Sequence, residues 1–251
     1  MRRVFFAWVF FSLLAMSLMT GNAAEIKDEE LLTELHWGIC EKSPQVVLKK
    51  LGLKVKDKEQ RGVSYYDLWS QELQGFEYFS QGIVLRIRSY SNGGSRSTVK
   101  IKFEEFPEFP EFSDEWTTLK GFKCEEDLNT SYGSRFCSLS EDSSEFSKTQ
   151  KMFLRTFGLD VNWNLIKEHG PSPNSVWDLK SSELGRLALE QFLLKSGEKI
   201  LELSTRVETS HAVEGLEYGT QWLKSRKIHL CETQESKTKR VLDSYKKLQN
   251  Q

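Results

Sequence analysis

The feature that most constrains this chain is a pair of alternating segments joined by a turn. In Ile83-Val84-Leu85-Arg86-Ile87-Arg88, an extended strand puts Ile83, Leu85 and Ile87 on one face and Arg86 and Arg88 on the other. In Thr98-Val99-Lys100-Ile101-Lys102-Phe103, the apolar face is Val99, Ile101 and Phe103, and Lys100 and Lys102 share the opposite face with Thr98. Ser91-Asn92-Gly93-Gly94-Ser95 between them is a turn sequence, so a hairpin is predicted with both cationic faces on one side. Four cations so close together repel one another. An anion among them offsets that cost, and phosphate oxygens suit both the Arg fork and the Lys point charge. The same alternation is also the ordinary pattern of a sheet with one face in water, so alternation alone leaves both readings open.

A later hairpin carries the complementary sign. Ile200 to Val207 places Glu202, Ser204 and Arg206 on one face and Leu201, Leu203, Thr205 and Val207 on the other. Glu190 is a second carboxylate on the neighbouring strand, Leu187 to Leu194, and Ser196-Gly197 marks the turn. Carboxylates facing cations serve as counter-ions or as ligands for a divalent metal. Ser43 is placed to cap a helix through Val46, Val47, Leu48 and Leu51 that ends near Gly52. Residues 25–35, acidic and Leu-rich, read as the start of a helix, and Glu34 to Cys40 as a short strand. Residues 54–61 read as a charged loop, Val63 to Trp69 and Trp177 to Lys180 as strands, and 209–226 and 236–248 as helices. The mixed order, antiparallel in flavour with helices at the ends, is that of an α+β chain. With 251 residues, 38% hydrophobic, and 16 Phe and 7 Trp, there is material for a real core in one large domain or two small ones.

The chain opens with Arg2 and Arg3, an apolar run from Val4 to Met19, and then Thr20-Gly21-Asn22-Ala23-Ala24. That is the three-part pattern of a secretory signal peptide, with cleavage expected after Ala23; a retained membrane anchor is the weaker reading, because the run is short for a span and ends in small residues. The division predicted is a signal peptide over 1–23 and a single domain over 24–251. No later apolar stretch approaches the length of a membrane span, so none is expected after processing. Export to a periplasm or to the exterior, in the style of a bacterial envelope protein, makes disulfides the expected state of Cys40, Cys124, Cys137 and Cys231. Of three possible pairings, Cys124 with Cys137 and Cys40 with Cys231 is preferred. Zinc is the weaker reading, because no C-x-x-C spacing occurs. The formal charge of −1 gives no global attraction to nucleic acid, and no such partner is expected.

Several chemistries lack their signature. His36, His169, His211 and His229 form no H-E-x-x-H pair, and neither G-x-S-x-G nor G-x-x-x-x-G-K-[ST] occurs. Asn129-Thr130-Ser131 is a formal glycosylation acceptor. The island Phe106-Pro107-Glu108-Phe109-Pro110-Glu111-Phe112 reads as an extended connector packed on the domain, or else as a docking segment.

The ordered combination resembles the CYTH-like, or triphosphate tunnel metalloenzyme, superfamily, including polyphosphate-polymerase-type domains. The residues carrying the resemblance are Tyr65-Tyr66-Asp67, Leu85 to Arg88, Thr98 to Lys102, Ile200 to Arg206 and Ser236-Lys237. It covers roughly residues 34–245, and 104–174 stands apart as an unmatched insertion. It implies an antiparallel β-barrel with a charged tunnel and flanking helices. Arg86, Arg88, Lys100, Lys102, Arg206 and Lys237 would grip phosphates, and Glu202, Glu190 and Glu34 would serve Mg²⁺ or Mn²⁺. Catalytic members of the family open with E-x-E-x-K, where this chain has Glu34-Leu35-His36-Trp37-Gly38, a depleted metal set.

Three functions follow as expectations. The first is an exported domain that binds an anionic small molecule or polyphosphate in a basic tunnel without efficient catalysis. The second is a divalent-metal-dependent triphosphate or polyphosphate hydrolase. The third is an envelope interaction scaffold displaying the Phe-Pro-Glu island. No catalytic residue is assigned.

Overall fold

A computed structural model describes residues 32–103 and 112–249. In order, the elements are β1 (Leu32–Ile39), α1 (Pro44–Leu51), β2 (Val55–Asp67), the short pair β3 (Trp69–Ser70) and β4 (Gly75–Phe76), α2 (Glu77–Ser80), β5 (Ile83–Tyr90) and β6 (Ser95–Phe103). There follow α3 (Asp114–Thr117), β7 (Phe122–Leu128), β8 (Gly133–Glu141), α4 (Lys148–Thr156), β9 (Lys167–Ser181), β10 (Gly185–Leu193), β11 (Lys199–Glu208), α5 (Ala212–Ser225) and α6 (Lys237–Gln249). Nine strands close into a barrel in the order β1-β11-β10-β9-β2-β5-β6-β8-β7. Neighbours run antiparallel except β1 and β7, which pair in parallel and complete the ring.

Period-two alternation dictates which way each strand faces. β5 and β6 pair with Val84 opposite Lys100 and Arg86 opposite Thr98, so their cationic faces do share one side. That side is the barrel interior, and the apolar side points outward. Outward is not into water: Ile83, Leu85, Val99 and Ile101 are buried beneath Phe153 and Leu154 of α4 and Trp116 of α3. The opposite half of the wall repeats the plan. Leu35, Trp37, Leu201 and Leu203 are buried under Trp222 and Leu223 of α5, with Val47 and Leu51 of α1 alongside. Helix α5 comes this close because position 219 is glycine: a Cβ there would lie 2.3 Å from Trp37 Cζ2. The Trp37 indole N–H then donates to Thr220 Oγ1 at 2.9 Å.

One end of the lumen is apolar. Phe192 and Ile200, each two residues from a lumen carboxylate and on the same strand face, join Val63 and Tyr65 against Val241 and Leu242 of α6. This helix plugs that end, and its first residue, Lys237, reaches the charged section.

Several sequence expectations change. Residues 55–61 are strand, not loop: β2 hydrogen-bonds along β9, with Lys58 opposite Trp177, and this ladder outweighs the local charge. Residues 32–35 are strand, not helix, because they pair with β11; residues 25–31 lie outside the described residues. The short strand expected at Trp177 is the end of β9. The stretch 104–174, set apart above, supplies β7 and β8 to the barrel wall. Residues 1–23 and 106–111 lie outside the described residues, while Phe112 is buried and stacks edge-on against Phe122 and Phe157. The cap on α1 is as read: Ser43 accepts from the Val46 N–H, and Gly52 ends the helix in the left-handed region. Both preferred disulfides form, Cys124–Cys137 across the β7–β8 ladder and Cys40–Cys231 between the end of β1 and the segment before α6. Such bridges suit an oxidising compartment. Among the described residues, no helix is long and apolar enough to cross a membrane.

Candidate functional site in the barrel lumen

The lumen is a cavity of about 1360 Å³. All nine residues expected at a ligand or metal site line it: Arg86, Arg88, Lys100, Lys102, Arg206, Lys237, Glu34, Glu190 and Glu202. The structure divides them by wall. β5 and β6 present Arg86, Arg88, Lys100 and Lys102. β1, β7, β10 and β11 present Glu34, Glu125, Asp127, Glu190 and Glu202, because the register sets Glu34 beside Asp127 and Glu190 opposite Glu202.

The acidic wall is threaded with cations. Lys237 Nζ bonds Glu190 and lies 2.7 Å from Glu202 Oε1. Arg61 takes the other oxygen of Glu190. His36 Nδ1 lies 2.9 Å from Glu202 Oε1, and its Nε2 lies 3.6 Å from Asp127 Oδ1. Lys100 bonds Asp127 at 3.0 Å and lies over the Phe136 ring. Arg206 reaches Glu34 at 3.5 Å and Glu125 at 3.7 Å. These neighbours decide the titrations. Burial would lower the His36 pKa, but Glu202 and Asp127 outweigh it and raise it to about 10, so His36 is an imidazolium. Burial would raise Glu190 and Glu202, yet Lys237 holds both below the usual carboxylate range, with Arg61 also acting on Glu190 and His36 on Glu202. Asp127 likewise resists burial and is held low by Lys100 and His36.

The basic wall is different. Arg86 Nε and Arg88 Nε are buried and have no hydrogen-bond partner among the described residues. Burial, together with the Arg86 and Arg61 guanidiniums, pulls Arg88 down to about 9. An arginine keeps its proton in proteins, so the displacement measures how poorly compensated this charge is. Two neighbouring arginines on the lumen wall, each with an unpartnered Nε–H, are placed to receive an anion.

The resemblance drawn from the sequence implies a divalent metal, and one group of lumen side chains has the donors for it. Glu34, His36 and Asp127 each offer one ligand atom, all within 4.8 Å of one another. Asp127 Oδ1 is buried without a hydrogen-bond partner among the described residues. One imidazole and two carboxylates suit a borderline cation such as Mn²⁺ better than Mg²⁺. With the His36 imidazole neutral, the set fits one such ion. Of the carboxylates assigned to metal from sequence, Glu34 belongs to this group, whereas Glu190 and Glu202 are engaged by Lys237.

Sequence reasoning missed His36, Arg61, Glu125 and Asp127. The signal for His36 was present, since Glu34 and His36 alternate on one strand face; the acidic run Glu125-Glu126-Asp127 sits in a segment without clean apolar alternation. The formal glycosylation acceptor is internal: Asn129 is buried, and its Oδ1 accepts from the Ser131 and Tyr132 N–H groups.

No protein-family model matches this chain, and no curated protein matches it. Among solved structures, it is similar to a Hippeastrum protein described as a putative adenylyl cyclase with a dominant triphosphatase activity. Identity is 15%, the TM-score is 0.57, and the match covers 85% of this chain and 95% of that one. A putative adenylate cyclase from Vibrio parahaemolyticus gives 12% identity and a TM-score of 0.44, over 84% and 97% of the two chains. The PH1819 protein of Pyrococcus horikoshii gives 13% and 0.44, over 81% and 94%.

Proposed function

We propose, from the premise that this chain carries the tunnel fold of the CYTH-like superfamily, that residues 24–251 form one exported domain, in a periplasm or outside the cell, that binds a phosphate-rich anion in its lumen without efficient turnover. The observation that carries this is the pair of buried, unpartnered Nε groups of Arg86 and Arg88. Their side chains would grip phosphate oxygens directly. Lys100, Lys102, Arg206 and Lys237 would complete the cationic surround, four lumen cations among which Lys100, Arg206 and Lys237 are partly neutralised by carboxylates. A tripolyphosphate or the triphosphate of a nucleotide has the charge density this surround calls for. Mn²⁺, held by Glu34, His36 and Asp127, would neutralise further phosphate charge.

A second reading, a triphosphate or polyphosphate hydrolase dependent on Mn²⁺ or Mg²⁺, is favoured by the same Glu34, His36 and Asp127 group and by the activity named for the Hippeastrum protein. Calorimetric titration with tripolyphosphate, in EDTA and then in Mn²⁺, tests both. The binder gives heat in EDTA and releases no phosphate. Removing a charged hydrogen-bonding group costs about 1.5–3 kcal/mol, so Arg86→Ala weakens binding by about 10- to 100-fold. Phosphate release that requires Mn²⁺ would establish the hydrolase instead. No heat and no release in either condition would remove both.

A further inference from the structure

Glu190 and Glu202 stand directly opposite each other on β10 and β11 and point into the lumen. Both side chains are about nine-tenths buried. Like charges so placed are destabilising unless a cation lies between them. Either a divalent ion or a side-chain cation can fill that position. The space between them holds Lys237 Nζ, bonded to Glu190 Oε2 and 2.7 Å from Glu202 Oε1. Two further cations hold the pair: Arg61 bonds Glu190 Oε1, and His36 Nδ1 lies 2.9 Å from the same Glu202 Oε1 that faces Lys237. A hard cation needs several oxygen ligands to itself, and this pair has little to spare.

Lys237 is delivered by a built strap. Cys231 is bridged to Cys40 and donates its N–H to the Gly38 carbonyl at 2.9 Å. Gln234 Oε1 accepts from the Gly38 N–H at 2.6 Å, while its Nε2 donates to the Cys231 carbonyl at 2.7 Å. The Gln234 amide fits against the β1 backbone because position 38 has no side chain: a Cβ there would sit 2.8 Å from Gln234 Oε1. Three residues later, α6 begins with Lys237 inside the lumen.

We propose that Lys237 is a resident counter-cation, occupying the position in which a divalent ion would bridge Glu190 and Glu202, and that this pair becomes a divalent-cation site when Lys237 is removed. This rests on the anion-binding reading above and deepens it: the lumen supplies this positive charge itself, so the phosphate ligand needs no metal at that wall. Supporting the geometry, Glu190, Glu202 and Glu34 raise Lys237 above the usual lysine range against the effect of burial, keeping it charged.

The test is calorimetric titration of Mn²⁺ into the mature chain and into Lys237→Met, with far-UV circular dichroism as the check on folding. The expected result is one additional Mn²⁺ per chain in Lys237→Met, together with a rise in its melting temperature on adding Mn²⁺ that the parent chain does not match. A folded Lys237→Met with unchanged stoichiometry overturns the proposal. Should that variant not fold, the parent chain against Glu190→Gln decides. Equal Mn²⁺ stoichiometry supports the proposal, and loss of one Mn²⁺ in Glu190→Gln overturns it. Tripolyphosphate binding is read in separate titrations, so a failure of the anion reading is distinguishable from a failure here.

Discussion

Asp67 and Asp127 are the same side chain in opposite surroundings. Asp127 has Lys100 and His36 beside it, and they hold its carboxyl well below the ordinary range despite burial. Asp67 is 2% exposed, and its partners are backbone N–H groups of Leu68, Tyr78 and Phe79. Burial outweighs those three donors and raises it from 3.8 to about 6. Between those two values the folded chain holds a proton that the unfolded chain has lost, so folding stability from this group falls as pH rises through that window. Asn at position 67 removes the titration. It also loses one acceptor, but that offset does not vary with pH. Urea unfolding from pH 4 to pH 7 is therefore expected to show the native chain losing about 1–3 kcal/mol relative to Asp67→Asn. A difference between the two that stays flat across the window would contradict the account. The same logic separates the two walls of the lumen: carboxylates on the acidic wall have cations in reach, whereas Arg88 on the basic wall has other guanidiniums beside it.

Helix α5 sets how the outer face of β1 is covered. Gly215 and Gly219 are one turn apart, and Cβ atoms there would meet Leu35 and Trp37. Gly219→Val puts a branched side chain against the Trp37 ring, and such overpacking is expected to cost about 1–3 kcal/mol, read as a lower urea midpoint with an unchanged slope. Neutral behaviour would mean that α5 docks more loosely than this packing requires. What made some elements legible in the sequence is the same packing logic. In β5 and β11 one face is mainly apolar, Ile83, Leu85 and Ile87 in the first and Leu201, Leu203 and Val207 in the second, so period two is legible and the charged face stands out. The sequence could not say which face lines the inside, because helices cover the apolar side of both; that step came from the resemblance. β7 defeated the pattern. Its lumen face is Lys123, Glu125 and Asp127, and its outer face carries Cys124 and Glu126, so neither face is uniformly apolar. The acidic partners of Lys100 were hidden for that reason. The charged start of β2 was hidden for another: its place is fixed by a ladder to β9, more than a hundred residues away.

Closure of the whole barrel depends on its seam. β1 pairs with β11 along its full length, from Leu32 to Ile39, but with β7 only from Thr33 to Leu35. The Cys40–Cys231 bridge sits just past β1 and binds it to the segment that carries α6, so the first strand, the strap and the plug are held as one unit. Cys124–Cys137 joins strands that already pair along their length. The two bridges also differ in what they do to the unfolded chain, closing sequence separations of 191 and 13 residues. On the chain-entropy account these constraints are worth about 5 and about 3 kcal/mol. Replacing Cys40 and Cys231 with Ser is therefore expected to cost about 2 kcal/mol more than replacing Cys124 and Cys137. It should also weaken tripolyphosphate binding, since Gln234 and Lys237 lose their anchor, while the Cys124/Cys137 variant keeps its affinity. Urea unfolding and calorimetry on the two double-serine variants check both halves. Equal stability losses would show that the longer bridge constrains an unfolded chain that is already compact. Equal affinities would show that Gly38 and Gln234 hold the strap on β1 without the covalent link.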